Sequence, residues 1–284
     1  MRKEPQILCL TQPPEYNSKS AWRNAQCEKI FYLVISHLPL LMKRQLFPVR
    51  KIYHSSGLSD RKAAAIAGWL YILGTVAGIL SVAYAVDAPD YLVQAATNAN
   101  QVLLAAFFHL VMAPAYVGVA IALYPVLRPH HPHLALGFAS FRVMAGAFVF
   151  VGVIFLLLIL TLSQEYVRAG APATAYFQTL GALLQAGRDL VNHIAMILAV
   201  SFGGLMYYWL LYQSQLIPRW LSGWGLLGTA LTIVATLLVL FRLIGILTTS
   251  YMVLNLPMAL QEMVLAVWLI VKGFNPPADA PATK

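Results

Sequence analysis

From residue 63 onward the chain alternates long apolar runs with short polar breaks. The runs cover roughly 63–86, 102–127, 134–162, 190–212, 220–241 and 250–271, each bounded by charge, proline or a polar cluster. Each is long enough for a helix to cross about 30 Å of hydrocarbon, which takes about 20 residues. Inside lipid the backbone can hydrogen-bond only to itself, so these runs are helices. The pattern predicts an all-α integral membrane protein. It is a bundle of six transmembrane helices over residues 61–274, flanked by polar stretches at 1–60 and 275–284.

Composition points the same way, with 60% hydrophobic and only 10% charged residues, where a soluble domain carries about a quarter charged. The net charge of +9 does not imply a nucleic-acid partner. Eleven of the nineteen Lys and Arg residues precede Ala63 and form a basic N-terminal flank. That flank contains one apolar run, Ile30–Met42, whose thirteen residues are too few to span a bilayer. Either translation is expected to begin effectively at Met42 or residues 1–60 are a disordered, dispensable extension, and residues 275–284 are expected to be a disordered tail. Cys9 and Cys27 both fall in the flank, which leaves no disulfide framework, thiolate metal site or Cys nucleophile in the hydrophobic body.

Orientation follows from charge near the span ends. Arg50, Lys51, Arg61, Lys62, Arg128, Arg219 and Lys272 fall on one side, and only Arg168, Arg188 and Arg242 on the other. Positively charged connections stay cytoplasmic, so both termini are expected inside and the protein in the plasma membrane, with the lipid bilayer as its first partner. Trp69, Trp220, Trp224 and Trp268 lie near the cytoplasmic ends, where indoles anchor at the interface. A weak repeat links His109-Leu-Val-Met112 with His193-Ile-Ala-Met196, each opening an inward-running span.

Longer motifs are more specific. They are Gly68-Trp-Leu-Tyr71, Asp87-Ala-Pro-Asp-Tyr91 with Asn100-Gln-Val, Tyr176-Phe-Gln-Thr-Leu-Gly181 and Gly187-Arg-Asp-Leu-Val-Asn-His193. Leu216-Ile-Pro-Arg-Trp-Leu-Ser-Gly-Trp-Gly225 and the run from Leu256 to Phe274 complete the set. Through these stretches the chain from about Ala63 to Phe274 resembles the bacterial membrane family known as domain of unknown function family 4386. The resemblance implies a multi-pass membrane protein. It carries no established activity and no catalytic residues, and it does not extend over residues 1–60.

Chemistry must therefore be sought among polar residues inside the spans, where a charge at the bilayer centre costs at least about 2.5–3.5 kcal/mol. Glu262 cannot escape to an interface: Lys272 and Pro276 fix the end of its span, and it lies ten residues inside, about 15 Å at 1.5 Å per residue. Asn255 lies two turns away on the same face, with Pro257 between them. Arg142, counted from Leu134, reaches about 12 Å from the same side, within a helical turn of the depth of Glu262. An Arg142–Glu262 pair is geometrically open, either as a packing device or as the heart of a polar site. Arg142 can also be read as snorkelling to the interface. Tyr116 and Ser201 fall at similar depth.

A second group, His109, Asp189 and His193, shares one level at the outer interface. Two histidines and a carboxylate can make a three-ligand metal site or an acid–base pair, whereas Asp189 and His193 at i, i+4 also suit an ordinary local contact. Gly74-Thr-Val-Ala-Gly78 and Gly203-Gly204 read as close helix packing, and Arg128-Pro-His-His-Pro-His133 as a polar connector. No motif indicates a cofactor: Walker loop, zinc-protease helix, nucleophile elbow and dinucleotide fingerprint are all absent from the sequence. The leading expectation is binding or translocation of a small molecule or ion through a polar cavity around Glu262. An outer-face enzyme acting on a lipid through His109, Asp189 and His193, or a scaffold without turnover, are the alternatives.

Overall fold

The computed structural model describes residues 60–171, 175–246 and 248–275. The expectations for residues 1–59 and 276–284 lie outside the described residues. Among the described residues, six helices are long and apolar enough to cross a membrane: Asp60–Leu80, Ala99–Leu127, Pro132–Arg168, Ala175–Ser214, Arg219–Leu240 and Thr249–Val271. They are called the first to sixth spans. No strand interrupts them among the described residues, and large apolar side chains such as Trp69, Phe107, Ile154 and Leu227 point outward, as a lipid-facing surface requires.

Each span packs on its neighbours in sequence, and the sixth returns to the first, so the bundle is a closed ring. The third and sixth spans stand on opposite sides of it. Without a hydrophobic drive between helices in lipid, close approach depends on small residues, and every seam has one. Gly74 and Gly78 serve the first–second seam, Gly146 the second–third, Gly203 the third–fourth, Gly204 the fourth–fifth and Gly228 the fifth–sixth. Gly68 serves the closing seam, where a Cβ would lie 2.7 Å from the Ala266 carbonyl oxygen. Arg61 ties the same seam at its end: Nη1 donates to the Lys272 carbonyl (2.7 Å) and Nη2 to that of Val271 (2.8 Å). This cation satisfies orphan carbonyls at the end of the sixth span, beyond which the chain turns at Gly273 with φ +73°.

The end of the ring that carries Arg61, Arg128, Arg219 and Lys272 is closed by short turns. His131 caps the third span by accepting from the Leu134 N–H (3.4 Å), so the histidine-rich tract here supplies a helix cap. Trp220 lies 6.4 Å from both Trp224 and Trp268, which gathers three of the predicted interfacial indoles into one cluster.

The far end differs from the predicted boundaries. The first span stops at Leu80, and two short helices, Tyr84–Asp87 and Tyr91–Thr97, lead into the second. The third span has 37 residues and the fourth 40, about 55 and 60 Å, well beyond about 30 Å of hydrocarbon. The fourth begins at Ala175, fifteen residues before the predicted 190, because its first part is an amphipathic helix, Ala175–Asp189. The inner face of that helix, Phe177, Leu180, Gly181 and Leu184, packs on the third span and, through Gly181 and Leu184, against the short helices, while Tyr176 and Leu183 face outward. A wide π turn, Leu190–Ala195, joins it to the remainder of the span.

Candidate functional site

Arg142 on the third span is 2% exposed, and Glu262 on the sixth reaches it across the ring at 3.8 Å, with its side chain 22% exposed. The guanidinium is held by aromatic faces. It lies 5.3 Å from the ring centre of Tyr71, 5.5 Å from Tyr116 and 5.6 Å from Phe138, supplied by the first, second and third spans. Its Nη2 donates to the Tyr71 hydroxyl at 3.2 Å. Among the described residues that is the one hydrogen bond it forms, and Nε is buried without a partner. A guanidinium has five N–H donors, so this one is far from satisfied.

The fourth span completes the aromatic wall. Tyr207 stacks on Phe138 at 4.7 Å and tilts against Tyr208 at 5.0 Å. The Tyr207 hydroxyl is in electrostatic contact with that of Tyr71 but lacks the geometry of a formed hydrogen bond. Tyr208 donates to Gln261 Oε1 (2.7 Å), and Gln261 Nε2 donates to the Leu221 carbonyl (3.2 Å), which ties the fourth, sixth and fifth spans together. Gln261 is fully buried. The fifth span adds a stripe of buried hydroxyls, Ser222, Thr229, Thr232 and Thr236. Thr229 and Thr236 donate to carbonyls one turn back, at 2.7 and 2.8 Å, while the Thr232 hydroxyl is buried without a partner.

Of the candidates named from sequence, Arg142, Glu262 and Tyr116 are gathered at one place. Ser201 is buried on the fourth span without a hydrogen bond to that group, and Asn255 donates to its own helix at the Tyr251 carbonyl (2.8 Å). Tyr71, Tyr207, Tyr208 and Gln261 belong to the centre but did not stand out in the sequence. Uncharged polar residues are common in apolar helices, and only their shared depth with Arg142 marks them. The hydroxyl stripe was readable in principle, since 222, 229, 232 and 236 repeat at helical spacing.

The far-end group is arranged as a latch. Arg188 ion-pairs with Asp87, and it bonds Asp189 through Nε (3.1 Å) and Nη2 (2.9 Å). Gln185 Nε2 donates to the Val86 carbonyl at 2.6 Å. These bonds fasten the short helix Tyr84–Asp87 to the fourth span. Tyr91 lies under Gly181, where a Cβ would collide with its hydroxyl, and burial pushes its phenol above the ordinary tyrosine range. His109 Nδ1 donates to the Ala105 carbonyl one turn back (3.0 Å), which fixes its tautomer and removes that nitrogen as a ligand. The His193 ring stands edge-on to Tyr251, centroids 6.2 Å apart. His193 is within electrostatic range of Asp189 and His109. Even so, among the described residues no three His, Cys, Asp or Glu side chains are close enough to share a metal ion. The trio of His109, Asp189 and His193 is not gathered into such a group: Asp189 is turned to Arg188, while the bond from His109 Nδ1 to its own backbone leaves Nε2 open.

The stretches that carried the family resemblance meet in pairs across this fold: Asp87 with Arg188, Tyr91 with Gly181, Gly68 with Ala266. The family model described as Domain of unknown function (DUF4386) matches residues 66–273, and the chain belongs to that family. No curated protein and no solved structure matches the chain.

Proposed function

We propose that this family member binds a small polar solute or ion at the centre of its ring and translocates it, with Arg142 and Glu262 as the charged pair that receives it. The observation that carries the reading is the mismatch between the two partners. Arg142 is locked in an aromatic cage and almost fully buried, whereas Glu262 stands 3.8 Å off with its side chain 22% exposed. A pair serving only to fasten helices is best made short and sealed, because both desolvation costs must be recovered by direct hydrogen bonds. This pair is long, and neither partner makes a direct hydrogen bond to the other. The hydroxyl stripe of the fifth span and the buried amide of Gln261 extend polar character along the interior.

We further propose that the end bearing Arg61, Arg128, Arg219 and Lys272 is cytoplasmic, with both termini on that side in the plasma membrane. Among the described residues Arg61, Lys62, Arg128, Arg219 and Lys272 lie at that end, against Arg168, Arg188 and Arg242 at the other. The reading of the centre is tested by placing a cysteine at Glu262 in a Cys9→Ser/Cys27→Ser background. Reaction with a charged methanethiosulfonate reagent, which needs water, should be at least tenfold faster at Glu262→Cys than at lipid-facing Val267→Cys. Equal rates at the two positions would exclude a water-reachable site.

A further inference from the structure

We infer that Arg142 is the receptor for a monovalent organic carboxylate, and that Glu262 must take up one proton for that carboxylate to bind, so that the site loads anion and proton together. The inference rests on the reading of the ring centre proposed above and adds the chemical class of its occupant and the condition for entry.

Three observations carry it. First, the guanidinium is placed but not satisfied: three π faces and the Tyr71 hydroxyl fix its plane, yet Nε is buried without a partner and its carboxylate neighbour stands at 3.8 Å. Charge-assisted N–H···O bonds settle at about 2.7–2.9 Å. A planar fork held in this way is matched by a carboxylate, which takes two parallel N–H bonds, better than by a spherical ion. Second, the Tyr207 hydroxyl, fully buried beside Tyr71 and stacked on Phe138, is another polar group without a formed bond and can donate to a second oxygen. Third, of the three rings around the cation only Tyr116 is half-buried rather than buried, and it is the one with apolar surface left for the organic part of such an anion.

Charge decides the coupling. Arg142 with ionised Glu262 is neutral. A carboxylate arriving beside ionised Glu262 would leave a net charge of minus one deep in the membrane, and a cation arriving at Glu262 would leave plus one. Protonation of Glu262 from the aqueous phase, followed by transfer of Arg142 from Glu262 to the incoming carboxylate, keeps the site neutral throughout. No bond other than the O–H of Glu262 forms or breaks. A dianion would not balance. The titratable groups that face Glu262 are Tyr71 from the first span, Tyr116 from the second, Arg142 from the third, and Tyr207 and Tyr208 from the fourth. The fifth span offers no titratable side chain between Trp220 and Leu240. Arg142 is thus the one formal charge opposing Glu262 among the described residues of the ring interior.

The test is titration calorimetry of the full-length protein in detergent with formate, acetate, propionate and benzoate, repeated in buffers of different ionisation enthalpy to count protons. Wild-type protein should take up close to one proton per carboxylate bound at alkaline pH, with affinity rising about tenfold per pH unit of acidification until Glu262 is protonated in the free protein. E262Q, whose amide imitates the neutral acid, should bind at least tenfold more tightly at alkaline pH and without proton uptake. R142Q/E262Q, neutral and of similar volume, should lose binding, and elution as a single monodisperse species shows that it is folded. Binding to wild type without proton uptake, or no gain in E262Q, overturns the coupling and leaves the solute site standing. Absence of carboxylate binding in wild type and E262Q alike overturns the carboxylate, and the ring-centre reading fails with it only if Glu262→Cys is also inert to the thiol reagent.

Discussion

The Arg142–Glu262 pair makes the sharpest energetic prediction. Replacing Glu262 by alanine strands the guanidinium at 2% exposure, and breaking a buried pair from one side costs about 3–5 kcal/mol. The carboxylate is partly reachable, so the lower end applies, about 3 kcal/mol. Arg142→Met removes the charge but keeps an unbranched stem inside the rings of Tyr71, Tyr116 and Phe138. It forfeits cation–π attraction of about 0.5–2 kcal/mol and leaves Glu262 free to protonate, for a cost of about 2 kcal/mol. The double variant Arg142→Met/Glu262→Ala strands nothing and should fall within about 2 kcal/mol of wild type, giving a coupling of about 3 kcal/mol. Reversible unfolding of the detergent-solubilised protein by sodium dodecyl sulfate, followed by circular dichroism, measures all four corners of the cycle. Single effects that add to within about 0.5 kcal/mol would refute the claim that the two charges interact across the ring.

Three further outcomes are expected. Gly68→Val drives a side chain into the Ala266 carbonyl, 2.7 Å from the first new atom. Because backbone cannot yield as a side-chain tip does, the same unfolding assay should show a loss of about 3 kcal/mol. Arg188→Gln should release the far-end latch at a cost of about 1–2 kcal/mol, given partners about one-third exposed. Amide exchange across the helices Tyr84–Asp87 and Tyr91–Thr97 should then accelerate roughly five- to thirtyfold while the ring core is unchanged. Impermeant thiol reagents should label Ala171→Cys and His131→Cys from opposite faces of a sealed membrane, Ala171→Cys from outside; labelling from the same face would overturn the topology.

The spans were legible because lipid leaves a long apolar run one structural option, so length alone converts sequence into helix. The nearness in depth of Arg142 and Glu262 was legible for a related reason: the fixed rise of a helix turns residue counts into ångströms. That the two helices face each other was not, since it depends on the ring order, and the ring is set by glycine contacts such as Gly68 on Ala266 and Gly228 on Met258 that pattern alone does not pair. The start of the fourth span was misplaced because Ala175–Asp189 is too polar for a hydropathy reading, although its inner face at 177, 180, 181 and 184 has helical spacing. Gln261 was overlooked beside Glu262. Formal charge draws attention in an apolar helix, yet the amide is the more buried of the two and bonds two other spans through Tyr208 and Leu221. The outer trio of His109, Asp189 and His193 shows the converse: a common level along the membrane normal does not bring side chains together, and Asp189 is already taken by the nearer Arg188.

The most direct test of a charged, solute-accessible centre is an experimental structure of the protein in lipid nanodiscs. The account predicts a closed ring in which the third and sixth spans face each other, with Glu262 about as far from Arg142 as the 3.8 Å seen here and with ordered water or solute density reaching its carboxylate. A Glu262 side chain turned to lipid, or a dry Arg142–Glu262 pair sealed in direct bidentate contact, would contradict it.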